Sequence, residues 1–144
     1  MRPPLVSALL CMGLFVSCTA PPRASGGVQL SAEARIQAIP PADPAKAGSA
    51  KVNNWQNPYL AIRENGIALV DFGNNEERIL KGDQVLDALA ALPSSAWPYG
   101  RVVAVEETDR GTPEQRVEVR RNRAVVAGTL ESAHVLIHWI PPTP

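Results

Sequence analysis

The sequence predicts an α+β domain: a small mixed sheet in the order β-hairpin, helix, strand, helix, strand, with both helices on one face. Three observations predict it. Asn65-Gly66 separates two short apolar runs, Tyr59 to Ile62 and Ile67 to Val70. Thr112-Pro113-Glu114-Gln115 opens a long stretch without glycine or proline until Gly128. Two runs dense in β-branched residues, Val102 to Val105 and Val135 to Ile140, lie on either side of that stretch.

Asn65-Gly66 is a pair with easy access to positive φ, which suits a two-residue turn between antiparallel strands. With that turn, Leu60 and Ile62 share a sheet face with Ile67 and Leu69, so one face of the hairpin is apolar. Asp71 to Arg78 reads as a polar loop around Gly73-Asn74-Asn75, after which Ile79-Leu80 resumes a short strand.

Asp83 is placed to cap a helix from Gln84 to Leu92, where Val85, Leu86, Leu89 and Leu92 form one stripe before Pro93 stops it. Trp97-Pro98-Tyr99-Gly100 is a turn, with Trp97 and Tyr99 read as packed rather than as an exposed aromatic contact. In the second helix Thr112 is the N-cap, Pro113 the first helical residue and Gln115 the return half of a capping box. At 100° per residue, Val119, Val126, Leu130 and Ala133 fall within a narrow arc, and Arg116, Arg120 and Arg121 point elsewhere. The crossover from Val102–Val105 through this helix to Val135–Ile140 predicts parallel neighbours with a right-handed connection.

Ahead of the domain the composition changes. Arg2 precedes an apolar run from Leu5 to Val16, about twelve residues where a membrane-spanning helix needs about twenty, so it reads as the h-region of an export signal over residues 1–17. From Thr19 to Asn54 the chain is rich in Ala, Ser, Gly and Pro, with Pro21-Pro22, Gly26-Gly27, Pro40-Pro41 and Pro44. Few large apolar side chains are available there to offset the entropy of ordering, so residues 18–57 read as a disordered tether and 58–144 as the globular domain. A short helix from Ser31 to about Ile39 is the one local element within the tether.

Phe15-Val16-Ser17-Cys18 resembles the lipobox of bacterial lipoproteins, with the small Ser17 before the cysteine. The resemblance implies cleavage before Cys18 and lipidation of its thiol, an attachment that several acyl chains make effectively permanent. Cleavage after Ala20 also satisfies a small-x-small rule and remains the alternative. Thr19, in place of aspartate, resembles the sorting pattern for the outer membrane in two-membrane bacteria. About 127 residues then remain, one domain's worth. Cys11 leaves with the signal and Cys18 is acylated, so disulfides, zinc knuckles and thiol nucleophiles are excluded.

With 14 basic and 14 acidic side chains the formal charge is zero, which implies no steering toward nucleic acid. His134 and His138 are four apart. Val135-Leu136-Ile137 between them favours strand, where that spacing is about 13 Å and one metal cannot take both. His138 therefore reads as an ordinary sheet histidine. Glu106, Glu107 and Asp109 read as a solvated loop after a strand. Arg116, Arg120, Arg121 and Arg123 read as a solvated helix face with Glu114 and Glu118 pairing along it. No phosphate-binding glycine loop, Gly-x-Ser-x-Gly or His-Glu-x-x-His frame occurs, so no catalytic, cofactor or metal residue is assigned.

The Ile62–Leu69 hairpin, the Val85–Leu92 helix, the Val102–Val105 strand and the Thr112-capped helix leading to Val135–Trp139 resemble the periplasmic domain of the biopolymer transport proteins ExbD and TolR. The resemblance covers roughly residues 59 to 140. Those proteins carry an N-terminal transmembrane helix with a proton-coupling aspartate; here a lipidated cysteine and a tether take its place. The resemblance implies an extracytoplasmic domain that binds an envelope protein or a second copy of itself, and the lipobox adds the lipid anchor. The alternative is a small envelope hydrolase or ligand-binding lipoprotein, which needs Glu106, Asp109 and His138 in one concave pocket.

Overall fold

A computed structural model describes residues 29–108 and 111–141. The segment expected to be an export signal, Cys11, Cys18 and Asp109 lie outside the described residues. The fold is α+β, with one five-stranded mixed sheet. Strands β1 (Tyr59–Arg63), β2 (Gly66–Asp71), β3 (Glu76–Leu80), β4 (Val102–Glu107) and β5 (Leu136–Ile140) are ordered β3-β2-β1-β4-β5. β1 is antiparallel to β2 and parallel to β4, and β5 is parallel to β4 as the crossover predicts. Helices α1 (Ala32–Gln37), α2 (Pro44–Ser49), α3 (Val85–Ala90) and α4 (Pro113–Ser132) complete the fold. No described helix is long and apolar enough to cross a membrane.

The two faces of the sheet are covered differently. Leu60, Ile62, Ile67, Val103 and Val105 point to one side and pack with Val85 and Leu89 of α3 and with Val119, Val126 and Leu130 of α4. Both predicted helices thus lie on one face. Ala61, Ala68, Val102 and Ala104 point to the other side, where Ala47 of α2 and Trp55 cover them. The face alternates because successive strand residues point opposite ways.

The local signals of α4 hold. Thr112 Oγ1 accepts from the Gln115 amide at 3.3 Å and Gln115 Oε1 accepts from the Thr112 amide at 2.8 Å. α3 begins differently. Residues 82–84 form a 3₁₀ turn, Gln84 Oε1 accepts from the Lys81 amide at 2.9 Å, and Asp83 makes no cap.

The hairpin loop is Glu64-Asn65 rather than Asn65-Gly66, because Arg63 pairs with Gly66. Gly66 opens β2 at φ +148°, and a β-carbon there would meet the Leu80 carbonyl oxygen at 2.7 Å. Every pair shifts by an even number of residues, so the expected apolar face survives the changed register. β3 is longer than expected. Its outer residues Glu76, Glu77 and Arg78 are exposed and charged, and they pair with Asp71, Val70 and Leu69.

The largest departure lies between residues 29 and 57, expected as a disordered tether. α1 forms with Ser31 as its N-cap, and Ile36 is 0% exposed in the helix-side core. Asp43 caps α2, accepting from the Ala45 and Lys46 amides. The proline-rich segment between these helices bonds through its backbone: the Arg101 amide donates to Pro40 O and the Asp43 amide to Tyr99 O, both at 2.9 Å. Gly100, at φ +75°, is required there, since a β-carbon would overlap the Pro41 carbonyl. The count of large apolar residues was low, but Ile36 and Trp55 are both placed in cores.

Ile36→Ala is expected to lower the unfolding free energy by about 2–4 kcal/mol in urea denaturation, as for other fully buried aliphatic truncations. A change within a few tenths of a kcal/mol would return this segment to the status of a tether.

Candidate functional site

Two surfaces stand out. The first is the open side of β5. Leu136 donates its amide to Arg101 O at 2.9 Å, so Leu136, His138 and Ile140 turn their backbone groups toward β4. In a parallel ladder the intervening residues, Ile137 and Trp139, turn theirs outward. β5 has β4 as its one neighbour among the described residues. Leu136 is 50% exposed and Trp139 37% exposed.

α4 runs beside this edge. Arg123 lies 4.4 Å from the centre of the Trp139 ring and holds Glu107 at 2.6 Å. The helical angle places Arg116 and Arg120 on the same flank as Arg123. Arg121 points away and pairs with Glu118 at 2.9 Å, as expected for a solvated helix face. The opposite edge, β3, presents Glu76, Glu77 and Arg78 instead.

The second surface is a groove of about 550 Å³ on the side of the sheet that α2 only partly covers. Its floor is Tyr59, Ala61, Val70 and Glu106, and its walls include Val52, Asn53, Phe72 and Ile140. β1 and β4 place Tyr59 and Glu106 on one face, and the Tyr59 hydroxyl donates to Glu106 Oε2 at 2.8 Å. Arg63, two residues along β1 from Ala61, pairs with Glu77 at 3.0 Å and donates to Thr108 Oγ1 at 2.9 Å. The Phe72 ring stands edge-on to Tyr59, 4.9 Å away. Burial, together with donation to the Glu106 carboxylate, holds the Tyr59 phenol well above its ordinary value of 10.0. Tyr59 is therefore a fixed donor at neutral pH.

The remaining candidates separate. Trp97 is buried in the helix-side core, as expected of a packed residue. Tyr99 is half-buried, edge-on to Trp55 at 5.3 Å, with its hydroxyl donating to Asn54 O at 3.3 Å. His138 stacks on Trp55 with centroids 5.0 Å apart. His134 follows α4 at φ +53° and is exposed. Glu106 lines the groove but His138 does not, and Glu107 is occupied by Arg123. No group of three His, Cys, Asp or Glu side chains suited to a metal occurs among the described residues. Sequence reasoning missed Tyr59, Arg63, Phe72 and Glu77 as neighbours of Glu106; only the alternation of Tyr59 and Ala61 along β1 pointed to their shared face.

No protein-family profile, curated protein or solved structure matches this chain.

The raised Tyr59 value means the fold prefers the neutral phenol. That preference is fully present below pH 10 and is lost as pH rises through the folded value. Absorbance titration of the protein against Tyr59→Phe should assign the missing phenolate signal to the most alkaline part of the curve. In urea, the stability of the wild type should fall relative to the variant above pH 10. A Tyr59 signal titrating at or below 10 would contradict the bond to Glu106.

Proposed function

We propose that this protein is an extracytoplasmic lipoprotein, held to a membrane through lipid on Cys18, whose folded part docks a strand of another protein along the open side of β5 and performs no catalysis. The observation that carries the docking half is the contrast between the two sheet edges. A free edge invites pairing, and proteins commonly blunt it with charge. β3 follows that pattern with Glu76, Glu77 and Arg78 ahead of its exposed Ile79, whereas β5 carries no Asp, Glu, Lys or Arg and offers outward backbone groups beside exposed Leu136 and Trp139. Strand addition there would supply main-chain hydrogen bonds, with the alternate side chains giving selectivity.

The anchor rests on the apolar run that ends in Ser17-Cys18. The resemblance to the periplasmic domain of ExbD and TolR supplies the class of partner, an envelope protein or a second copy of the chain. Between Cys18 and Gln29 lie too few residues to span more than about 40 Å. The folded part therefore works beside its membrane, closer than a tether reaching residue 57 would allow.

Metabolic labelling with palmitate is expected to mark the wild-type protein and to leave Cys18→Ala unmarked; equal labelling of both removes the anchor. For the edge, two variants at one position separate ring from backbone in co-purification from native envelopes. Trp139→Ala keeps the outward amide and should retain most of the partner. Trp139→Pro lacks that amide while sparing the bonds to β4, and should lose the partner roughly tenfold or more. Equal retention by two variants with native circular dichroism would exclude strand addition at β5.

A further inference from the structure

We propose that the groove floored by Tyr59 and Glu106 is a binding site for an alkylammonium group, the kind of charge carried on a lysine side chain or a short aliphatic amine. The site lies on a face of the sheet, touches β5 only through Ile140 at its end, and does not depend on the lipid anchor. Three observations select this chemistry.

The first is charge. Among the described residues three charged side chains line the groove: Arg63, Glu77 and Glu106. Arg63 and Glu77 neutralise each other at 3.0 Å, which leaves one carboxylate in excess on Glu106. The second is hydrogen bonding. Tyr59 occupies Glu106 Oε2 at 2.8 Å, and Oε1 has no hydrogen-bond partner among the described residues. A half-buried carboxylate oxygen gains most from a charged donor, because charge-assisted bonds are about twice as strong as neutral ones. The tyrosine also fixes the carboxylate's orientation before any ligand arrives. As a phenol it is protonated at neutral pH, and burial beside the carboxylate shifts it further in that direction.

The third is the rim. Phe72 is 56% exposed on one wall, and Val52, Ile140 and Pro141 line the groove with it. An aromatic face attracts a cation, and the aliphatic rim suits the methylene stem behind it. The volume, about 550 Å³, lies within the range of small-ligand clefts. An anion would meet the uncompensated carboxylate of Glu106 here. A neutral sugar would leave the excess charge on Glu106 uncompensated.

The test uses the purified protein labelled with ¹⁵N and two probes, the lysine dipeptide mimic N-α-acetyl-lysine methylamide and 1,5-diaminopentane. Amide shifts at Ala61, Phe72 and Glu106 are expected to move and saturate with at least one probe. Binding of both shows that free amines suffice, and binding of the peptide mimic alone shows that the source is a peptide side chain. N-ε-acetylation of the mimic should abolish the response. Glu106→Gln keeps an acceptor for Tyr59 but removes the charge, and should weaken binding by roughly tenfold or more. Phe72→Ala, at an exposed position, should weaken it by roughly two- to fivefold. Glu33→Gln, which removes an exposed carboxylate on α1, should leave it unchanged. The proposal is overturned if neither probe moves these amides up to its solubility limit. It is equally overturned if the acetylated mimic binds as well as the free amine, or if Glu106→Gln binds as well as the wild type.

Discussion

Asn57, 5% exposed, is a buried amide where β1 and β4 begin, and the centre of the sheet is built on it. Its Nδ2 donates to Gly100 O and to Val102 O, both at 2.7 Å, and its Oδ1 accepts from the Tyr99 amide at 2.8 Å. Three of its four hydrogen-bonding positions are thus filled, which is what makes a buried amide tolerable. These bonds join Asn57, two residues before β1, to the turn before β4 and to the first residue of β4. They fix the start of the parallel pair, where the Ala104 amide donates to Pro58 O at 3.1 Å and Tyr59 pairs with Ala104. A parallel pair has no tight turn to set its register. A buried side chain spanning both strands does that work here.

Everything at the periphery follows from that register. With Tyr59 opposite Ala104 and Leu60 opposite Val105, the apolar residues of β1 and β4 meet α3 and α4 on one side. On the other side the small alanines of both strands meet Trp55 and Ala47. The same pairing brings Ala61 beside Glu106, which sets the groove. β5 adds to β4 from Val102↔Leu136 to Glu106↔Ile140 and becomes an outer strand. Asn122 of α4 reaches back to Arg63 O at 2.8 Å, tying the long helix to the hairpin end. Gln37 of α1 donates to Ala133 O at 2.6 Å at the other end of the helix.

What could be read from the sequence was set by range. The α4 cap was legible because Thr112 and Gln115 are three residues apart and the bonds they make are local. Its buried arc was legible because Val119, Val126, Leu130 and Ala133 repeat with the helical period. Asn57 was not legible, since its partners lie more than forty residues away and nothing near Asn57-Pro58 announces them. β3 was hidden by its exposed Glu76, Glu77 and Arg78, which resemble a loop until β2 is placed beside them. The segment from Leu30 to Asn57 was misread because composition counts residues, whereas packing needs only Ile36 and Trp55 to find cavities and Pro40 O to find a donor. The groove depends on Tyr59 and Glu106, 47 residues apart, and so was visible only as an isolated acidic stretch.

Amide hydrogen exchange along β5 in the purified protein tests the account most directly, because register, edge and docking surface all meet there. With β4 fixed by Asn57 and no described strand on the far side of β5, Leu136, His138 and Ile140 should be protected while Ile137 and Trp139 exchange quickly. Uniform protection of all five would mean that the edge is already covered. Protection of Ile137 and Trp139 alone would mean that the register is off by one.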